Sequence, residues 1–168
     1  MPRLHPDLWL HRVTRLTPGQ LQSWGARVLI LDVDNTLTTH NNPVPDEDVL
    51  EWLERMKELG LRLVILSNNN ARRVGPFAAA LGLEYTADAW KPLKKGFREI
   101  TRMTGVPPEE MVMVGDQIFT DVWGGNRFGA RTVLVDAMEP ESHWGFRLKR
   151  VLEQAVLRNY KGERGSGV

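Results

Sequence analysis

Val28, Leu29, Ile30 and Leu31 form an unbroken branched run that stops on two carboxylates, Asp32 and Asp34. A segment apolar at every position suits a strand buried on both faces, as in a parallel sheet covered by helices. The pattern recurs at residues 61–66, 111–114 and 132–135, and residues 84–86 are short enough for an edge strand. Helical periods lie between these runs. Val49, Leu50, Leu53, Met56 and Leu59 recur across 46–59 before Gly60, and residues 70–81 are interrupted at Pro76 and closed by Gly82. Leu93, Phe97, Ile100 and Met103 recur across 92–104, and 120–128 runs up to Gly129. Strands alternating with helices predict an α/β fold, a doubly wound five-stranded parallel sheet of order 3-2-1-4-5 between helical layers.

At 168 residues the chain is long enough for one well-filled core. No repeat or linker divides it, so a single domain is expected over 1–160. Residues 1–26 and a helix over 143–159 are its extensions, and 161–168 is expected to be a disordered tail. Cysteine is absent, which excludes disulfides, thiolate zinc sites and a Cys nucleophile. A net charge of +1 gives no whole-molecule field for nucleic acid, so no nucleic-acid partner is expected. The longest stretches free of charged residues, 16–26 and 35–45, fall short of the roughly 20 residues a membrane span needs. No secretory signal is read at the N-terminus, and the expected compartment is the cytoplasm.

Three of the apolar runs end in polar groups: Asp32, Asp34 and Thr36; Ser67, Asn68 and Asn69; Gly115 and Asp116. Ligand sites of open α/β sheets lie beyond the carboxyl ends of the strands, where strand order reverses. Two carboxylates two residues apart on an extended segment share a side, about 6–7 Å apart. With Asp116 alongside, the acidic groups repel one another unless they share a cation, and oxygen-only ligands favour a hard ion such as Mg²⁺. A metal with a carboxylate nucleophile fits phosphoryl transfer through an aspartyl-phosphate, with Lys91 and the Ser67–Asn68 turn supplying positive charge and donors.

These residues resemble the haloacid dehalogenase superfamily of phosphatases and phosphotransferases. Asp32 to Thr36 matches its first motif, DxDxT, Ser67 the second, Lys91 the third, and Asp116 with Asp121 the fourth, across residues 28–135. The resemblance implies a capless Rossmann-like three-layer sandwich, since 38–45 and 68–90 leave no room for an inserted cap. It implies Asp32 as nucleophile, Asp34 as general acid and base, and Ser67 and Lys91 at the transferring group. Thr36, Asn68 and Asn69 would line the phosphate site. Mg²⁺ would be held by Asp32, Asp116 and the backbone carbonyl of Asp34. Asp121 would lie in the metal's outer shell or orient Lys91, and both readings stay open. Lys94 and Lys95 read as a solvated face, and His40 as a loop histidine.

The segments around Ser67, Lys91 and 115–135 are similar to the subfamily IIIA group called YqeG. They are also similar to the mitochondrial and plastid phosphatases that remove the terminal phosphate from phosphatidylglycerophosphate. That implies a Mg²⁺-dependent phosphatase acting on a lipid-linked phosphomonoester, with Arg127 at a second phosphate or diester, or else in a surface ion pair. Soluble sugar, nucleotide or nucleic-acid end phosphates are the alternative substrates, and a catalytically silent binding module is the rival of another class. The lipid reading asks for a surface that meets the membrane. Trp144, Leu148, Val151, Leu152, Ala155 and Val156 recur at helical spacing, with Arg147, Lys149, Arg150 and Arg158 largely off that stripe. A basic amphipathic helix can lie on anionic lipid at the inner face of the membrane, or its stripe can pack on the sheet. Leu4, Leu8, Trp9, Val13 and Leu16 offer a second such segment.

Overall fold

The computed structural model describes residues 3–40, 42–140 and 144–165. In chain order the elements are β1 (Leu8–Leu10), α1 (Pro18–Ser23), β2 (Val28–Leu31), α2 (Glu47–Glu58), β3 (Arg62–Leu66), α3 (Ala71–Leu81) and β4 (Glu84–Thr86). Then follow α4 (Lys94–Thr104), β5 (Met111–Gly115), α5 (Trp123–Phe128), β6 (Arg131–Val135), α6 (Trp144–Leu157) and β7 (Glu163–Arg164). The strands form one parallel sheet of order β4-β3-β2-β5-β6-β1-β7.

The sheet is therefore wider than the five strands expected. The five apolar runs are neighbours in the predicted sequence, but Leu8–Leu10 adds beyond β6, and Glu163–Arg164 beyond it. Three residues are too few to display an alternation, which is why β1 was hidden inside an apparently amphipathic segment. Residues 161–165, expected in a disordered tail, include β7, and the Gly165 N–H donates to the Trp9 carbonyl at 2.9 Å. Residues 166–168 of that tail, and residue 143 of the C-terminal extension, lie outside the described residues.

Alternate side chains of each strand enter opposite layers. Leu29, Leu31, Leu63, Ile65, Val112 and Val114 meet α2 and α3 through Val49, Leu53, Met56, Val74 and Phe77. Val28, Ile30, Val64, Leu66 and Met113 meet Phe97 and Ile100 of α4. Helix ends follow their local chemistry. The Asn70 side chain caps α3 by accepting from the Arg73 N–H, and Gly82 ends that helix in the left-handed region at φ 63°. The helix expected over 120–128 is instead a π-helical turn, Ile118–Val122, leading into α5.

Helix α6 is turned around relative to one reading of its stripe. Trp144, Leu148, Val151 and Leu152 face solvent, whereas Glu153 is only 4% exposed. Glu153 accepts from the Ile118 and Phe119 N–H groups at 2.8 and 3.4 Å, so the buried face of α6 is anchored by charge on the π-helical turn. No helix of the described residues is long and apolar enough to cross a membrane.

Candidate active site

The carboxyl ends of β2, β3 and β5 and the loop after β4 converge at the point where the chain leaves β2 in opposite directions, towards β3 and β5. Asp32 follows β2, and its N–H still donates to the Val114 carbonyl at 3.0 Å, so the ladder fixes the first carboxylate. Asn35 turns the chain in the left-handed region at φ 61°, which Asn adopts more readily than most residues. Its N–H donates to the Thr38 carbonyl at 2.7 Å, closing the turn.

Ser67 follows β3 and is 2% exposed; its Oγ accepts from the Asn69 N–H at 3.1 Å. Asn68 does structural service. Its Oδ1 accepts from the Lys91 N–H at 2.6 Å and its Nδ2 donates to the Lys91 carbonyl at 3.2 Å, bracing the segment that carries the lysine. Lys91 Nζ donates to Asp32 Oδ1 at 2.7 Å and to Asp121 Oδ1 at 2.6 Å. The other oxygen of Asp121 accepts from the Gln117 N–H at 3.1 Å. A Cβ on Gly115 would lie 2.3 Å from Asp121 Cγ, so only glycine lets that carboxylate reach the lysine.

Asp116 follows β5. One of its carboxylate oxygens and its backbone carbonyl accept from the Arg150 guanidinium of α6, while Oδ1 is buried with no partner among the described residues. Carboxylate oxygens of Asp32, Asp116 and Asp121 lie within 4.8 Å of one another. With all three carboxylates ionised, two cations, Lys91 and Arg150, leave one negative charge and one orphaned oxygen. That donor set fits a hard divalent cation. Asp121, read in the sequence as an outer-shell or lysine-orienting group, joins Asp32 and Asp116 in that trio of side chains. Asp34 instead accepts from Asn69 Nδ2 and from the Arg73 guanidinium, with His40 Nδ1 3.6 Å away.

Burial sets the electrostatics. It pushes the Asp32 carboxyl up to about 8 against the opposing pull of Lys91, with Asp121 and Asp116 adding to the rise. It likewise pushes Asp116 up to about 7, opposed by Arg150. Burial alone would discharge Lys91, but the carboxylates of Asp121 and Asp32 outweigh it and hold the ammonium above the usual lysine range.

The catalytic pocket, about 490 Å³, is lined by Asp32, Asp34, Ser67, Asn68, Asn69 and Lys91. His40, Arg73, Gln117, Thr120 and Lys149 complete it. Thr36 is 3% exposed and not part of that lining. Arg127 is not either: its guanidinium lies over the Trp123 ring at 5.1 Å, so the reading as a phosphate ligand is not supported. His40, read as a loop histidine, stands on the pocket wall. The sequence reading missed Arg73, and took Lys149 and Arg150 for members of a basic helix face. Arg73 sits one turn into a helix capped by Asn70, directly after Ser67, Asn68 and Asn69; that proximity was its signal. Arg150 and Glu153, three apart and opposite in charge, were the corresponding signal on α6.

A parallel α/β sheet with a buried aspartate–lysine pair and an acidic, oxygen-only cluster at its switch point is equipped for phosphate-ester chemistry, and the chain's relatives make it a phosphatase. The chain belongs to the haloacid dehalogenase-like hydrolase family, which it matches over residues 41–129. It is 37% identical to the probable phosphatase YqeG of Bacillus subtilis over 90% of its own length and 88% of that protein. It is 27% identical to phosphatidylglycerophosphate phosphatase 1 of Arabidopsis thaliana, over 83% of this chain but 43% of that longer protein. It is 32% identical to glyceraldehyde 3-phosphate phosphatase of Methanopyrus kandleri, over 78% of this chain and 58% of the relative. Among solved structures, D,D-heptose 1,7-bisphosphate phosphatase from B. bronchiseptica, complexed with magnesium and phosphate, superposes with a TM-score of 0.60. It is 14% identical, over 83% of this chain and 92% of that one, which bears on the fold alone.

Proposed function

We propose that the chain is a magnesium-dependent phosphomonoesterase that acts on phosphatidylglycerophosphate through an aspartyl-phosphate at Asp32. The observation that carries the chemistry is Lys91, buried between Asp32 and Asp121 beside an acidic cluster with an unpartnered oxygen. Support for the substrate comes from the names of the Arabidopsis relative and of a Chlamydomonas reinhardtii relative, phosphatidylglycerophosphate phosphatase 1, 30% identical over 70% of this chain and 47% of that protein.

In this reading Asp32 attacks phosphorus as the bond to the leaving alkoxide breaks, and Asp34 gives that oxygen its proton. Water then attacks the aspartyl-phosphate, losing a proton to Asp34 and freeing Asp32 and phosphate. Ser67 donates to the phosphoryl oxygens. Lys91 offsets charge on phosphoryl group and nucleophile, and Asp121 positions Lys91. Asp32, Asp116 and the Asp34 carbonyl would hold Mg²⁺, which when bound stabilises negative charge developing on the transferring group. The outward stripe of α6, with Trp144 80% exposed and Arg147 and Arg158 beside it, supports peripheral contact with an anionic membrane.

A second reading, a soluble three-carbon phosphate, is favoured by the name of the Methanopyrus relative. Phosphate release should therefore be compared across phosphatidylglycerophosphate in mixed micelles, soluble sugar phosphates, nucleotides and p-nitrophenyl phosphate, each with Mg²⁺ and with EDTA. Strong preference for the lipid, abolished by EDTA, is expected. Turnover of soluble esters alone would overturn the lipid assignment and leave the chemistry standing.

A further inference from the structure

A second cavity of about 570 Å³ opens between α3 and residues 42–44, in the size range of ligand pockets. Its wall is mostly hydrocarbon: Val33, Val44, Val74, Pro76, Phe77 and Ala80. It shares Ser67, Asn69 and Arg73 with the catalytic pocket, so the two are continuous. Two of those three, Asn69 and Arg73, are the groups that hold the Asp34 carboxylate. Arg72, exposed on the same helix, also lines the cavity and makes no ion pair or hydrogen bond among the described residues.

We propose that this crevice is the subsite for the hydrocarbon end of an anionic lipid phosphoester; this rests on the role of Asp34 given above. The leaving group departs with the oxygen that Asp34 protonates. Whatever that oxygen carries next meets Asn69 and Arg73, which the two cavities share, and beyond them a lining of Arg72 and an apolar wall. The order along the crevice is thus reacting phosphate, cationic seam, hydrocarbon. An anionic phospholipid whose terminal phosphate is cleaved presents the same order: phosphomonoester, short polar spacer, second anionic group, acyl chain. A sugar phosphate would leave the apolar wall exposed to water. The larger cavity beneath α6, about 670 Å³, reaches the site at Asp116, on the metal side, and does not adjoin Asp34.

Alkylphosphonates, which keep the anionic head but lack the cleavable P–O–C bond, test this by calorimetry with the full chain and Mg²⁺. Ethyl, butyl, octyl and decyl members would be titrated below their aggregation limits. Affinity is expected to climb about two- to fourfold per methylene beyond butyl. Two variants narrow the crevice from opposite walls without touching the catalytic groups, Ala80→Trp on α3 and Val44→Glu on the facing segment. Either, verified as folded by its melting curve, should flatten the climb and leave ethylphosphonate affinity unchanged. Affinity independent of chain length in the native protein, or an equal climb in both variants, would overturn the subsite. Native protein that hydrolyses only soluble esters yet shows the climb would lose the lipid assignment and keep the crevice. Lipid hydrolysis with a flat series would do the reverse.

Discussion

Lys91 holds two buried carboxylates apart from each other's repulsion, and it leaves a third to be balanced from elsewhere. The consequence is a pH dependence that a surface site would not show. The Asp32 carboxyl is pushed up to about 8 in the folded chain from an ordinary value of 3.8, and Asp116 to about 7. Between the ordinary and raised values the folded chain holds protons that the unfolded chain has released, so stability falls as pH rises through that interval. In EDTA the melting temperature should be lower at pH 8.5 than at pH 5.5, and Mg²⁺ should restore it at the higher pH. Asp32→Asn should soften the dependence, keep the fold, and lower phosphate release by at least about 10³-fold. Undiminished turnover in that variant would remove Asp32 from the nucleophile's place. At this scale most of the site was legible, because Asp32, Asp34, Ser67, Lys91 and Asp116 each sit just after an apolar run or at a motif position. What could not be read was which carboxylates would meet: strand alternation relates Asp32 to Asp34, but the Asp34 carboxylate is engaged by Asn69 and Arg73, and it is Asp121 that joins Asp32 and Asp116.

Helix α6 contributes a guanidinium to the site from a segment that lies outside the matched motifs. Arg150 bridges the carboxylate and carbonyl of Asp116, whose side chain is fully buried, and pairs with Glu153 at 3.2 Å. Arg150→Ala would strand a buried carboxylate. The expected cost is about 3 kcal/mol, at the lower end for a buried pair because the Arg150 side chain keeps 22% exposure. That corresponds to a fall of roughly 6–12 °C in melting temperature without divalent cation, narrowing when Mg²⁺ is added. Scanning calorimetry under both conditions checks it, and an equal fall with and without Mg²⁺ would show that Arg150 acts on packing alone. Periodicity found the helix and its stripe, but period alone does not say which face a helix turns inward. Here two N–H groups of the π-helical turn needed an acceptor, and Glu153 provides it at 2.8 and 3.4 Å.

At the scale of the molecule, the seven-stranded sheet gathers every proposed catalytic group at one end while α6 presents Trp144, Leu148, Val151 and Leu152 outward. Replacing Trp144 and Leu148 together by Ser should reduce co-sedimentation with anionic vesicles several-fold. Hydrolysis of p-nitrophenyl phosphate should be unchanged, since neither residue lines the catalytic pocket. Equal co-sedimentation would show that this face does not meet lipid. The central strands were legible because each is a continuous apolar run. The outer strands β1 and β7 were not, since three and two residues carry no period and are defined only by what they pair with.

The same topology sets when the site comes into being. Lys91 reaches Asp32 across 59 residues of sequence and Asp121 across 30, so the ammonium and its carboxylates meet only after several chain crossings have closed. Contacts of such separation close late in assembly, so the repulsion among the acidic groups is expected to weigh on unfolding more than on folding. A cation at the cluster is therefore expected to prolong the lifetime of the native chain by slowing its unfolding while leaving its refolding rate unchanged, which refolding and unfolding kinetics with and without Mg²⁺ would check.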